Sequence, residues 1–579
     1  MRIWNLRRGD DDDNRTSPHG GGIRRILLST AVEFNYVKAA IGFLVLIVGP
    51  ALLVGIMPSV AVTFGRLKFS AAASSVYSPI LAVIVLAALL VAAVWIGRPL
   101  LLKALENFWH LHYTLVFPAF VALREVLRSV AERFSGPTAT AEQLDRRRRV
   151  GTVVGALLFA SAGIALAIIV DLSIGLQLID VERVRKWAVV RAALGNAAVV
   201  LGLSTAAESL YWVWREFRFR APVLDWARDP AQQATSVNRV AHLSDLHVVG
   251  ERYGCRMESG THGPRGNRCI RRALRKLAVI HAATPLERVL ITGDVTDAGT
   301  RAEWAEFLDL IRNFPELRDR LSFVPGNHDV NIVDRHNTGR FDLPWSAGQS
   351  LRKLRVVLAL DALQGDRAYV VDRKSGALGP SLREYLREGG RVERLRALAK
   401  YGAIRGRREM SKVWDAIFPL VEPPPVEDGY GIILLNSNAR SHFSLTNAIG
   451  VVNPPQLKAL KLILRSSPRS SWMILLHHQV VEYPVGSISL TDRIGLALVN
   501  APDVLAAIAP HASRCLILHG HRHRDWIGTC RKVVLCSAPS VTMGSQGEGQ
   551  YHGSFHVHEF ALGGDGDIRL NATQRVKVS

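Results

Sequence analysis

Apolar and polar positions alternate in two different ways along this chain. Up to about Trp212 the apolar residues fall into long uncharged runs. The first is Ala39 to Gly65, densest from Ile41 to Met57, and the second is Ser70 to Gly97, with Ile80 to Ile96 at its centre. The third is Val150 to Val170, and the fourth and weakest is Ala192 to Ala207, bounded by Arg191 and Glu208. A membrane-spanning helix needs about 20 mostly apolar residues. Three runs meet that length directly, and the fourth meets it if Arg191 snorkels toward the interface. Uncharged runs of this length are rare in soluble cores. Residues 1–235 are therefore expected to form an N-terminal membrane domain with about four transmembrane helices. The first run starts too late, and is followed too closely by the second, to be a cleavable signal peptide. Asn107 to Leu123 has no formal charge but contains His110, His112 and Pro118. It reads as an interfacial helix, and if it spans instead, the number of spans becomes odd.

From Arg239 onward the apolar runs become short and end in polar clusters. Val240 to Leu243 runs into Ser244-Asp245-Leu246-His247, and Val289 to Thr292 into Gly293-Asp294-Val295-Thr296-Asp297. Leu321 to Val324 runs into Pro325-Gly326-Asn327-His328-Asp329. Trp472 to Leu476 ends in His477-His478, and Cys515 to Leu518 in His519-Gly520-His521-Arg522-His523. Runs this short suit buried strands. Between them lie helical periods: Ile270, Ala273, Leu274, Leu277 and Ile280 share one face, as do Trp304, Phe307, Leu308 and Ile311. Strands alternating with helices predict an α/β domain of layered sheets over residues 236–579. In such domains ligand-binding groups gather beyond the carboxyl ends of strands, and all five clusters sit there.

Charge refines the first region. The formal net charge is +22 over 579 residues, which favours anionic partners: phosphate groups, acidic lipid heads or nucleic acid. Many of these charges flank the apolar runs. Arg2, Arg7, Arg8, Arg15, Arg24, Arg25 and Lys38 precede the first, and the linker between the second and third carries Arg146 to Arg149. The positive-inside rule then places the N-terminus, this linker and the C-terminal domain in the cytoplasm. The expected location is the cell inner (cytoplasmic) membrane, multi-pass, with membrane lipids as partners. Arg183, Arg185 and Lys186 in a short loop are a mild contradiction. The five cysteines form no C-x-x-C pair, which argues against a zinc ribbon or a thioredoxin-like site.

The clusters supply aspartates, an asparagine and several histidines. Carboxylate oxygen, amide oxygen and imidazole nitrogen together suit manganese, iron or zinc better than magnesium. Two divalent ions held close together can clamp a phosphoryl group and generate a hydroxide nucleophile at neutral pH. Asp294 is placed to bridge such a pair, and Gly293 lets the backbone approach it. Each piece alone is weak, since Asp-x-His is common and a lone His is more often structural than ligating. The ordered set of five is far more specific.

The series Asp245-x-His247, Gly293-Asp294-x-x-Asp297, Gly326-Asn327-His328-Asp329, His477 and Gly520-His521-x-His523 resembles the calcineurin-like metallophosphoesterase superfamily, with all five motifs in order. The resemblance covers about Val240 to His523 and leaves out the membrane region. It implies a four-layer sandwich, two β-sheets flanked by helices. It implies two divalent metal ions, with Asp245, His247 and His523 on one, Asn327, His477 and His521 on the other, and Asp294 between them. It implies that His328 contacts the phosphate and protonates the leaving oxygen, and that Asp297 orients His328. His519 is expected to be structural, and His556 and His558 to be sheet positions.

The expected activity is hydrolysis of a phosphoester, foremost a phosphodiester, by a membrane-anchored metal-dependent phosphodiesterase or phosphatase. A cyclic-nucleotide-like diester and a lipid-linked phosphate are both compatible substrates. Nucleic acid ranks last, because no aromatics interleave with the basic residues. The alternative, a non-catalytic membrane sensor or scaffold, predicts missing ligands, and none is missing. Glu251 to Arg272 reads either as a basic grip on substrate or as a solvated loop. Residues 331–425 are too long for a loop and are expected to form an inserted cap. Gly544 to Gly553 reads as a flexible loop near the site.

Overall fold

The computed structural model describes residues 36–56, 108, 111–134, 139, 141–174, 186–218, 224–225, 237–251, 267–331, 347–438, 449–481, 498–530, 533–543, 553–564 and 566–578. The chain divides into two compact units, one over Phe34–Ala221 and the other containing Pro222–Ser579.

The first unit is helical. A helix over Tyr36–Phe43 continues through a π-turn at Leu44–Val48 and remains helical to residue 56. The second apolar run lies outside the described residues. The segment expected at the interface is helical, with a π-turn at His112–Val116 followed by helix Phe117–Arg133. The third and fourth runs lie inside the long helices Ala141–Ile174 and Lys186–Arg218. Within these, Arg146–Ile174 and Trp187–Tyr211 are long and apolar enough to cross a membrane. The two helices approach closely at glycine: a Cβ on Gly163 would lie 2.5 Å from the Gly202 carbonyl oxygen, and the reverse distance is the same. Leu158, Ile168, Ile169 and Leu172 project outward from the first of them.

The second unit is built on two sheets. The strands are β1 (Leu224–Asp225), β2 (Asn238–Leu243), β3 (Arg288–Ile291), β4 (Leu321–Phe323), β5 (Tyr369–Val371), β6 (Leu378–Ser381), β7 (Leu420–Glu422), β8 (Tyr430–Leu434), β9 (Ser471–Leu475), β10 (Cys515–His519), β11 (Trp526–Cys530), β12 (Val533–Ser537), β13 (Ser554–Leu562) and β14 (Ile568–Lys577). Among the described residues one sheet has the order β1-β11-β12-β10-β9-β8-β7-β5-β6 and the other β14-β13-β2-β3-β4. The strands that end in the polar clusters are parallel, β2, β3 and β4 in the small sheet and β9 and β10 in the large one. Period-two alternation explains the burial of the large sheet on both faces. Ile432, Leu434, Met473, Leu475, Leu516 and Leu518 face a core shared with the small sheet. Their neighbours Ile433, Leu435, Ile474, Leu476 and Ile517 face a second core. That second core is closed by helices Pro454–Ser466 and Ala501–Ile508, through Leu460, Ile463, Val504 and Ile508.

Helix Arg268–Ala283 buries Ile270, Ala273, Leu274 and Leu277, the face its periodicity predicts. Helix Arg301–Arg312 starts at a capping box, in which Thr300 accepts from the Glu303 backbone and Glu303 reaches back to the Thr300 backbone.

The expectation of an inserted cap over residues 331–425 is corrected for the described residues from 347 on. Strands β5, β6 and β7 extend the edge of the large sheet. Leu351, Leu354, Val357 and Leu360 of helix Ala347–Gln364 belong to the same core as β2, β3 and β4. This segment is therefore part of the domain's central framework.

Candidate metal centre

Five loops bring the sequence-predicted residues together. Those after β2 and β3 run side by side, with the Asp245, His247 and Val248 amides donating to the carbonyls of Gly293, Asp294 and Val295. The loops after β9 and β10 are joined by the Gly520 amide donating to the His477 carbonyl. The two sheets meet where His477 Nδ1 lies 2.8 Å from the Thr292 carbonyl oxygen. Two close approaches require glycine. Gly293 has φ +98°, and a Cβ there would lie 2.5 Å from His477 Nδ1. A Cβ on Gly326 would lie 2.0 Å from Asp294 Oδ1.

Among the described residues, five other than glycine have φ in the left-handed region: Asp245 (53°), His247 (44°), Asp294 (48°), His521 (74°) and His523 (52°). All five are sequence-predicted ligands. Such backbone is costly for a side chain bearing a Cβ and persists where surrounding structure imposes it, which is typical of functional sites.

The side chains form two adjoining groups. In the first, His247 Nε2 lies 3.4 Å from His523 Nε2, which is 3.3 Å from Asp245 Oδ1. In the second, His477 Nε2 lies 3.0 Å from His521 Nδ1, 3.1 Å from Asn327 Oδ1 and 3.3 Å from Asp294 Oδ2. Asp294 Oδ2 also lies 3.9 Å from His247 Nε2 and so faces both groups. Asp245, His247 and His523 can hold a metal ion, as can Asp294, His477 and His521. The donor chemistry fits a cation. A single N–H on His477 can serve only one of its three electron-rich neighbours, and a positive ion among these atoms would relieve the remaining opposition. Nitrogen and oxygen donors in this mixture suit manganese, iron or zinc.

Electrostatics without metal follow from this crowding. Burial opposes the charged form of His477, but Asp294 outweighs it and pushes the imidazole up to about 9. Burial would raise Asp294, yet His477 and His328 hold it well below the usual carboxylate range. Burial, with His478 and His477 alongside, drives His521 far below the ordinary imidazole value.

His328 sits on the open side, its side chain 13% exposed against 0% for His477. Its Nδ1 is held by the Asp297 main-chain carbonyl at 2.7 Å, and its Nε2 is 4.0 Å from Asp294 Oδ2. The Asp297 carboxylate lies 3.1 Å from His247 Nδ1 and 3.7 Å from His328 Nδ1. The expected orientation of His328 by Asp297 thus runs through a backbone atom in this structure, while the carboxylate faces His247 first.

Other supporting residues escape sequence reasoning. Asp329 accepts from the amides of Val295, Thr296 and Gly326 and from the Thr296 hydroxyl. The Ser437 hydroxyl, 2.8 Å from His478 Nδ1, also accepts from the His477 amide. Asp329 is the last residue of the third motif, though no role is expected of it there, whereas Ser437 carries no signal in the chain. His519 ends β10 and is buried, and His556 and His558 lie in β13. Most of Glu251 to Arg272 and nearly all of Gly544 to Gly553 lie outside the described residues.

Residues 238–525 match the family model described as calcineurin-like phosphoesterase. A probable cyclic nucleotide phosphodiesterase of Coxiella burnetii is 26% identical over 98 residues, which is 17% of this chain and 34% of the relative. The chain therefore matches about a third of that relative's length. A dimetal phosphatase from Danio rerio aligns over 59% of this chain and 99% of its own, at 14% identity and TM-score 0.33. A purple acid phosphatase from yellow lupin aligns over 60% of this chain and 52% of its own, at 11% identity and TM-score 0.33. With the five motifs converging in order at the strand ends, residues 238–525 are a calcineurin-like phosphoesterase domain.

Proposed function

We propose that residues 236–579 form a two-metal phosphodiesterase, held at the cytoplasmic face of the inner membrane by residues 1–235. The observation that carries the reading is the pair of adjoining ligand groups sharing Asp294. Asp245, His247 and His523 would hold one ion and Asn327, His477 and His521 the other, with Asp294 facing both. When bound, the two ions supply charge neutralisation at the phosphoryl group and an activated water as nucleophile. His328, with Nδ1 held by the Asp297 carbonyl, presents Nε2 toward the leaving oxygen and delivers its proton.

The substrate is a soluble diester of the cyclic-nucleotide kind, a choice supported by the name of the Coxiella burnetii relative. Membrane anchoring is supported by the two long apolar helices, by the outward Leu and Ile side chains, and by glycine-mediated helix packing of the sort found in bilayers.

Turnover by the metal-loaded full chain on cyclic nucleotides, lipid pyrophosphates, phosphomonoesters and single-stranded DNA tests this. Cyclic nucleotides should be hydrolysed fastest, and a lipid pyrophosphate hydrolysed faster would reassign the substrate. No turnover of any phosphoester by metal-loaded protein would remove the catalytic reading. A reporter active only outside the cytoplasm, fused after Ser579, should stay silent.

A further inference from the structure

A second histidine cluster lies in the small sheet, apart from the residues assigned above. His242 of β2 stands directly opposite His556 of β13, and His558 stands opposite Val240, two residues along. The two-residue step keeps all three rings on one face of the sheet. They are buried, at 0%, 0% and 2% exposure for His242, His556 and His558. One ring nitrogen from each lies within 4.8 Å of the others. The closest described pair is His242 Nδ1 and His558 Nε2, 3.2 Å apart.

The opposite nitrogens are all anchored. His242 Nε2 lies 3.0 Å from the Thr292 hydroxyl, His558 Nδ1 2.8 Å from the Thr573 hydroxyl, and His556 Nε2 2.9 Å from Asp525 Oδ1. An oxygen on the outer nitrogen is what fixes the tautomer and direction of a metal-ligating imidazole. His556 Nδ1, by contrast, is buried without a hydrogen-bond partner. A hydrogen bond between His242 and His558 alone would leave that nitrogen unserved. Burial, reinforced by the neighbouring histidines, pushes the His242 and His558 imidazoles well below their ordinary value.

We propose that His242, His556 and His558 form a third metal site, which takes a borderline divalent cation of the zinc class and pins β2 to β13. An all-imidazole set favours zinc over magnesium, calcium or manganese. The three imidazoles fill three of the four positions zinc takes, and their burial keeps the ion away from substrate. It stands behind the phosphoester centre: the Thr292 hydroxyl partners His242 while the Thr292 carbonyl oxygen partners His477. The proposal does not depend on the substrate or on catalysis.

The test uses the full chain produced with zinc in the medium and treated exhaustively with EDTA in native buffer. One equivalent of zinc should survive, to be released only when guanidinium unfolds the chain in the presence of a chromogenic chelator. Asp294→Asn should keep that resistant equivalent, and His556→Gln should lose it while still taking up chelator-sensitive metal. No resistant equivalent in the wild-type chain, or one unaffected by His556→Gln, overturns the proposal. Should His556→Gln fail to fold, X-ray absorption on the resistant zinc of the wild-type chain decides. A shell dominated by imidazole nitrogen is expected, and one dominated by oxygen overturns the assignment.

Discussion

Replacing His328 with alanine separates proton delivery from metal binding. The structure predicts that the metal centre survives. The contact from residue 328 to Asp294 Oδ1 is made by its backbone amide, at 2.9 Å, and alanine keeps that amide. The imidazole itself stays 4.0 Å from Asp294 Oδ2 and is partly exposed, so its removal opens no sealed core. What disappears is the proposed proton donor at Nε2. General acid catalysis contributes typically about 10² to 10⁴-fold, which corresponds to roughly 2.7 to 5.4 kcal/mol of barrier at about 1.36 kcal/mol per tenfold. An alkyl leaving group departs badly as an anion and should suffer this whole loss. A nitrophenyl leaving group is stable unprotonated and should lose much less. Turnover of both esters, with metal content measured on the same sample, is the assay. Equal losses with metals retained would mean that His328 binds the phosphate and delivers no proton. Loss of the metals would refute the ligand assignment around Asn327. Asp297→Asn is the informative companion. It keeps the main-chain carbonyl that holds His328, so proton delivery should remain and the two esters should lose turnover about equally. Its carboxylate faces His247, and loss of such a supporting contact typically weakens metal affinity about 10 to 100-fold.

Asp294→Asn should reduce the content of both metals, because Asp294 faces His477 and His247 together, whereas His523→Ala should mainly reduce one; equal loss in both variants, measured after gel filtration, would count against the bridge. Gly326→Ala should cost about 1 to 3 kcal/mol of stability and most of the bound metal, since the added methyl would meet Asp294 Oδ1 at 2.0 Å; a variant with wild-type metal content and melting temperature would contradict this. In the metal-free protein the raised His477 pairs with Asp294, which stabilises the fold fully below the ordinary imidazole pKa and is lost as pH rises through about 9. Metal must displace that proton, so binding at pH 7 should release about one proton from His477, falling toward none above about pH 9. Calorimetry in buffers of different ionisation enthalpy measures this, and no release at pH 7 would refute the pairing.

The signals of the candidate site are legible in the chain because they are local. A short apolar run followed at once by Asp-x-His or Gly-Asn-His states both a strand and what stands at its carboxyl end, and such ends converge in parallel sheets. The two long apolar helices were legible for a similar reason, since length and lack of charge are properties of a segment alone. The part played by residues 347–422 was not. Helix Ala347–Gln364 buries Arg352 and Arg355 beside its leucines, so its polar pattern resembles a solvated face, and β5 and β7 are only three residues long. Packing against the sheets decided their place. The orientation of the Asp297 carboxylate toward His247 depends on how two loops run together, which no spacing records. The meeting of His242 with His556 is the plainest case. Each reads alone as an ordinary strand residue, and more than half of the domain separates them in sequence. Antiparallel pairing of β2 with β13 sets them opposite each other, because register between distant strands is chosen by the burial of whole sheet faces and not by any residue's neighbours in the chain.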